Sequence, residues 1–418
     1  MSLNLNNSII SIENRYKNII ISISFFLILL PKINILNIGN ESAGIRIDDV
    51  LIAIFILIIF FERTKSGSIC LIKIEKEFFI FILYSIAMVV YHSLVYKRSS
   101  FLYAIRPFEY FAFFYIGFYF YKTININKLL TVLITLNLIV SVAQLNNIIG
   151  GFASRGYRVD TSERVIGLTG GPWEIGAICN IAICYFLFGS SKTNKKNWLL
   201  IIMSSIIIIL TQARAPLAIL AITFLFYLFN STSIKKLMTF AALTLTLTIG
   251  FILGDGLISG RSESLFSLEN IKVIETYYDK INVQKNLVGS DKNAGLEYEW
   301  DYSAGYDTSW LARLYKWIYI YKVWISSVFF LIFGVGPGVW GTAVDGGWIR
   351  LLTEYGSIGF LLFFRFFKNA FSKIISLRWV CYAFFANMIF IDMYMSYKFM
   401  SILFLIIGST YRSERDSN

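Results

Sequence analysis

The chain reads as a succession of long apolar blocks divided by short polar breaks. The blocks lie near residues 18–37, 48–61, 77–96, 101–121, 128–149, 172–189, 197–212, 214–230, 237–254, 347–365, 376–393 and 397–411. Most approach the roughly 20 residues that a helix needs to cross a bilayer. They are much longer than the ~10-residue alternating strands of an outer-membrane barrel. In lipid every backbone polar group must be satisfied internally, which leaves helices or closed barrels. The pattern therefore predicts an all-α polytopic membrane protein with about twelve transmembrane helices. One long polar stretch, 255–346, interrupts the series. It divides the chain into a nine-helix region (1–254), a large extracytoplasmic loop (255–346), and three further helices with a short tail (347–418).

Composition agrees. Of 418 residues, 56% are hydrophobic and 15% charged, with mean hydropathy +0.64. A soluble protein carries about 25% charged residues. The net charge of +12 does not point to nucleic acid, because the bases sit in short breaks between apolar runs, where topology accounts for them. With the N-terminus inside, the inner loops hold Arg63, Lys65, Lys73, Lys76, Lys122, Lys128, Lys192, Lys195, Lys196, Lys235, Lys236, Lys368, Lys373, Arg378, Arg412 and Arg415. The short outer loops hold fewer bases, mostly arginine, with Lys398 among them. The predicted topology has both termini on the inner, lysine-rich side and the long loop outside. Arg15 and Lys17 precede a retained first span rather than a cleaved signal.

The single histidine, His92, reads as an interfacial residue ending the third span. It nearly excludes histidine-based zinc sites and Ser-His-Asp triads. Four cysteines (Cys70, Cys179, Cys184, Cys381) without a C-x-x-C pair argue against a disulfide framework. No metal or other cofactor is expected. Asp48 and Asp49 could ligate a divalent ion but read more simply as helix-start residues. The stretch 315–333 is apolar enough to span, yet Lys316, Lys322 and its aromatics read as a helix lying at the outer interface. Between 255 and 312 there are 10 Asp/Glu against 5 Lys/Arg, with Tyr277, Tyr278, Tyr298, Trp300, Tyr302, Tyr306 and Trp310. Aromatics beside acids suit a sugar-binding surface, or the core of a small folded cap.

Several charged residues sit where charge is costly. Arg214, in TQARAPL (211–217), lies at a tight outer turn. It either grips an anionic group, for which its planar fork is suited, or snorkels to the headgroups. Arg313, in SWLARLYKW, precedes the glycine-rich GVGPG (334–338), a turn of the type that can cradle phosphate. Arg106 and Glu109 share a helix face, as do Arg350 and Glu354, and both sets read first as structural pairs and second as substrate contacts. Arg155, Arg158 and Arg164 precede GLTGGPWEIG (167–176) and suggest an outer anion site. Glu174 in that motif either caps a helix or acts as an acid/base at the mouth of a cavity. Asp345, in TAVDGGW, is a candidate base at the start of the tenth span.

QARAPL, the run from Arg313 to GVGPG, and DGGWIRLLTEYGSIGF (345–360) together resemble the O-antigen or capsule repeat-unit polymerases of the Wzy type, relatives of the O-antigen ligases. The likeness extends over the whole hydropathy profile. It implies a helical membrane glycosyltransferase, inverting and metal-independent. Such an enzyme moves a growing glycan from undecaprenyl pyrophosphate onto a new lipid-linked repeat unit, with a chain-length regulator protein as a further partner. By the same resemblance Arg214 and Arg313 face the donor pyrophosphate. Ligase-type members place a histidine near the start of the span after the loop, where this chain has Asp345. The alternatives are a ligase of the same superfamily, a metal-dependent transferase using Asp48 and Asp49, and a lipid-linked oligosaccharide flippase. A flippase would show internal repeats with paired broken helices.

Overall fold

Helix after helix follows the apolar blocks, although the first, 18–37, ends in a short strand over Asn34–Asn37. The computed structural model describes residues 73–96, 101–153, 156–160, 164–189, 195–230, 308–340, 344–372 and 377–417, with short pieces between 18 and 57 and single positions at 278 and 374. The ninth block (237–254), most of the long loop, Arg155 and Asp48 lie outside the described residues. The helices are α1 (Lys73–Tyr96), α2 (Phe101–Tyr119), α3 (Ile126–Leu145) and α4 (Pro172–Cys184), the last continued by a wider π turn over Tyr185–Gly189. Then come α5 (Lys195–Thr211), α6 (Arg214–Asn230), α7 (Thr308–Ile325), α8 (Val328–Phe333), α9 (Gly347–Ser372), α10 (Arg378–Asn387) and α11 (Tyr397–Ser417). Two short hairpins, β1 (Asn34–Asn37) with β2 (Gly44–Arg46) and β3 (Gly151–Ala153) with β4 (Gly156–Arg158), are antiparallel.

Among the described residues three helical stretches are long and apolar enough to cross a membrane: Ile74–Val95, Ile126–Leu145 and Pro172–Gly189. The chain is thus mostly helical, and its apolar helices mark it as membrane-embedded. Other expected spans fall short for visible reasons. The helix in the block 376–393 is only 10 residues long. The tenth block runs on to Ser372 but is broken at Gly356, which has φ +66. The stretch 315–333, expected as one helix at the outer interface rather than a span, is divided between two helices, α7 and α8, because Ser327 caps α8 by accepting the Phe329 N–H at 3.2 Å.

The break at Gly356 is filled by the glycine turn that follows α8. A Cβ on Gly356 would lie 2.4 Å from the Gly334 nitrogen, and one on Gly334 2.3 Å from the Glu354 carbonyl oxygen. Only glycines let the two backbones touch. The carbonyls freed by the break accept hydrogen bonds from neighbours: Thr353 from Val335 N–H at 2.9 Å, and Glu354 from Gly336 N–H at 3.0 Å. The Tyr84 hydroxyl of α1 sits 2.7 Å from the Tyr355 carbonyl and 3.1 Å from that of Phe333. Broken backbone inside a bundle is stable only when satisfied in this way. In GVGPG, Val335 and Gly336 thus spend their N–H groups on α9 and Gly334 spends its own on the Phe330 carbonyl at 2.8 Å, so none of these three is left for a phosphate. His92, expected at the interface, is fully buried against this turn, its ring 2.9 Å from where a Gly336 Cβ would stand.

Close approach also joins α2 to α11, where a Cβ on Gly117 would stand 2.4 Å from the Leu405 carbonyl and one on Gly408 2.1 Å from that of Phe114. Small residues at such crossings let helices gain dispersion contact that lipid would otherwise supply. Phe78 of α1 stacks on Phe111 of α2 at 3.8 Å, extending the apolar core. The irregular segment 165–171 is held by polar side chains of α3. Gln144 accepts from Ile166 N–H and Gly167 N–H (3.0 and 2.8 Å), and Asn137 accepts from Leu168 N–H at 2.9 Å.

Candidate functional site

The link from α10 into the first turn of α11, residues 392–398, gathers the charged residues at one end of the bundle. Its 3₁₀ turn (Met393–Met395) is tied to α2 by the Tyr110 hydroxyl, which donates to the Met395 carbonyl at 3.0 Å. Two glycine-bearing segments dock on it, one leading into α4 and the other into α9.

On the first side, Glu174 is fully buried. Its Oε2 accepts the Gly170 N–H at 2.6 Å and its Oε1 accepts from the Ser396 hydroxyl. Glu174 stands at the third position of α4 and reaches back over the helix start to the residue before the N-cap, one position beyond the N–H that a capping-box glutamate takes. It is fully buried, and both of its oxygens are engaged by these two partners. Lys398, counted among the outer loop bases, is also buried in the first turn of α11. Its ammonium donates to the Leu168 carbonyl and, at 3.4 Å, to that of Leu29.

On the second side a buried polar node forms. Arg350 is fully buried, with Nε donating to Glu354 Oε1 at 3.0 Å and Nη1 to Asp392 Oδ2 at 2.9 Å. The Tyr394 hydroxyl donates to Glu354 Oε2 at 3.2 Å. The expected pair Arg350–Glu354 is therefore real, but it has a third ionic member that sequence reasoning missed. Asp392 closes an apolar run and carries no local signal of pairing 42 residues away. Its carboxylate also accepts two backbone N–H groups, Val344 at 2.8 Å and Gly346 at 3.0 Å. A buried charge network is costly unless each member is paired and hydrogen-bonded, and here the carboxylates find both.

Above this node the residue between those two N–H groups, Asp345, points outward. Its Oδ2 accepts from Arg313 Nε at 3.1 Å, with the two side chains 38% and 42% exposed. One helical turn further along α7, Trp317 Nε1 donates to the Val344 carbonyl at 3.2 Å. Two candidates from distant segments are thus brought together, a cation and a carboxylate that are both partly exposed. An ion pair this exposed contributes little to stability, about 0–1 kcal/mol.

The remaining candidates stand elsewhere. Arg214 opens α6, half-buried, after a turn in which Gln212 has φ +50. Two residues on, Pro216 packs on Gly176 of α4, whose Cβ would meet the ring at 2.7 Å. Arg214 therefore lies near the α4 side of the assembly. Arg158 ends β4 and is exposed, as is Arg164. Arg106 and Glu109 are half-buried on α2, on either side of Pro107. Asp49 is half-buried at a helical position, and among the described residues no group of three or more His, Cys, Asp or Glu has metal-binding geometry. At the other end of the bundle Arg365 of α9 meets the buried Glu77 of α1 at 2.8 Å.

No protein-family model matches the chain, and no curated protein matches it in sequence.

Proposed function

We propose that this chain is a polytopic membrane glycosyltransferase of the repeat-unit polymerase kind, working at the extracytoplasmic face of a bacterial cytoplasmic membrane. The reading takes the chain through the bilayer about twelve times with both termini inside. The observation that carries it is the contact between Arg313 and Asp345, half-exposed over a buried node of Arg350, Glu354 and Asp392. A transfer from a lipid pyrophosphate needs a carboxylate for the acceptor and fixed positive charge for the leaving group.

In this reaction the acceptor hydroxyl of a lipid-linked repeat unit gives its proton to the Asp345 carboxylate. The acceptor oxygen bonds to the anomeric carbon of the donor glycan. The bond from that carbon to the pyrophosphate oxygen breaks, and undecaprenyl pyrophosphate leaves with the electron pair. Arg313, released from Asp345 as substrate enters, meets the growing phosphate charge; Arg214, the second cation that the resemblance implies, stands apart on the α4 side. No nucleotide is required, because the pyrophosphate linkage itself supplies the driving force. Metal is not assigned a step, and Glu174 stays in the scaffold.

The test is surface glycan length in a deletion strain complemented with wild type, Arg313→Ala or Asp345→Ala, with protein levels matched. Single repeat units in place of the long ladder, unrescued by either variant, are the expected result. Polymer held on the lipid carrier but absent from its final anchor would make the chain a ligase. Repeat units trapped inside the cell would make it a flippase and end the glycosyltransferase reading.

A further inference from the structure

Asp345 has φ +58, one of three non-glycine residues with positive φ among the described residues. Aspartate tolerates this left-handed region better than most residues, but the conformation persists only where surrounding structure imposes it. The imposing group is visible. The Asp392 carboxylate lies under the turn and accepts the N–H before Asp345 with one oxygen and the N–H after it with the other. The oxygen that takes Val344 N–H also takes Arg350, so the clamp is itself anchored in the buried node. Trp317 holds the Val344 carbonyl from the far side. Every backbone demand of the turn that these contacts meet is met by some residue other than Asp345, whose own carboxylate is left to face Arg313.

We infer that Asp392 is the positioning residue of the site: by gripping both backbone N–H groups that flank Asp345, it holds that carboxylate outward in a left-handed turn. The role rests on the reading of Asp345 given above. An aspartate can do this and an asparagine cannot, because the amide offers one acceptor oxygen and turns a donor toward the other N–H. Pre-organised placement of this kind lowers the cost of reaching the reactive geometry.

The test combines a thermal cycle with the glycan assay. The full chain, purified in detergent, is melted as wild type, Asp392→Asn, Asp345→Gly and the double variant. Glycine adopts positive φ without strain, so it lessens the need for the clamp. Asp392→Asn is expected to lower the apparent melting temperature by roughly 5 °C in the wild-type background and by less than half that beside Asp345→Gly. An equal drop in both backgrounds would reduce Asp392 to a counter-ion for Arg350 and overturn the clamp. Where Asp392→Asn does not fold, Asp392→Glu is read the same way, since it keeps the charge but displaces both oxygens by a methylene.

In cells grown well below those melting temperatures, folded Asp392→Asn is expected to lose the long ladder as Asp345→Ala does. A full ladder from Asp392→Asn, beside a lost one from Asp345→Ala, would overturn the positioning role and leave the enzyme reading standing. A full ladder from Asp345→Ala as well would overturn both, while the thermal cycle still reported the clamp.

Discussion

The segments leading into α4 and α9 make the same approach to the same turn and end with opposite outcomes. Each carries a glycine pair where its helix starts, Gly170–Gly171 and Gly346–Gly347, and each has one carboxylate within four residues of it. Each docks on residues 392–398. In the first, the carboxylate of Glu174 folds inward and is consumed by a backbone N–H and the Ser396 hydroxyl. In the second, Asp392 supplies the buried acceptor from another element, and Asp345 is left to the surface. A carboxylate is available for chemistry where a different residue satisfies the surrounding backbone. Motif and local sequence alone do not distinguish the two cases.

That contrast can be broken most violently at Arg350. Its replacement by Met leaves Glu354 and Asp392 buried without their cation, a loss of about 3–5 kcal/mol for removing one partner of a buried pair. The expected outcome is failure to recover monodisperse full-length protein from detergent extracts. A well-folded, unshifted Arg350→Met chain would show that the node does not hold the α9 side together. Next in size is Gly356→Ala, where strain of about 1–3 kcal/mol, in a backbone region open essentially to glycine alone, adds to a backbone clash with Gly334. We expect the apparent melting temperature to drop clearly. Gly356→Ala melting like wild type would mean that the break in α9 is not locked by the glycine turn.

Glu174→Ala sharpens the comparison from the first side. It strips the acceptor from Gly170 N–H and from Ser396, at about 1–3 kcal/mol for each buried group left unsatisfied. Stability should fall measurably, while the glycan ladder made per folded molecule stays close to wild type. A ladder abolished in stably folded Glu174→Ala would return Glu174 to the reacting set. The smallest structural effect belongs to Arg313→Ala and Asp345→Ala, at most about 1 kcal/mol because the pair is more than a third exposed. Their melting curves should overlay wild type as the ladder disappears. A large melting shift in either would make this pair part of the scaffold and erase the difference between the two segments.

Much of the site was legible one residue at a time. Arg350 and Glu354 announce themselves by a spacing of four on one helix, since residues so placed are neighbours wherever the helix goes. Arg313 and Asp345 were each conspicuous as charge at the edge of apolar sequence. Their contact across 32 residues was not legible, because it depends on how α7 lies over the start of α9. Asp392 is a charge in the apolar block 376–393, but nothing in the sequence near it names its partners. Its partners are two backbone N–H groups and an arginine on other elements, and backbone donors leave no mark in a sequence. Lys398 misled for a related reason, since a lysine near a helix start reads as a loop base unless the carbonyls that bury it are known.

By itself, then, the sequence determined that this is a helical, membrane-embedded chain, because apolar length and period are properties of consecutive residues. It also determined which rare charges needed an explanation, because charge in an apolar block is costly wherever the block ends up. Only the tertiary structure decided which of those charges are consumed in the scaffold and which face outward. That decision rests on contacts between elements, where a carboxylate is set inward or outward by whichever segment packs beside it and by which backbone groups that segment leaves in need of a partner.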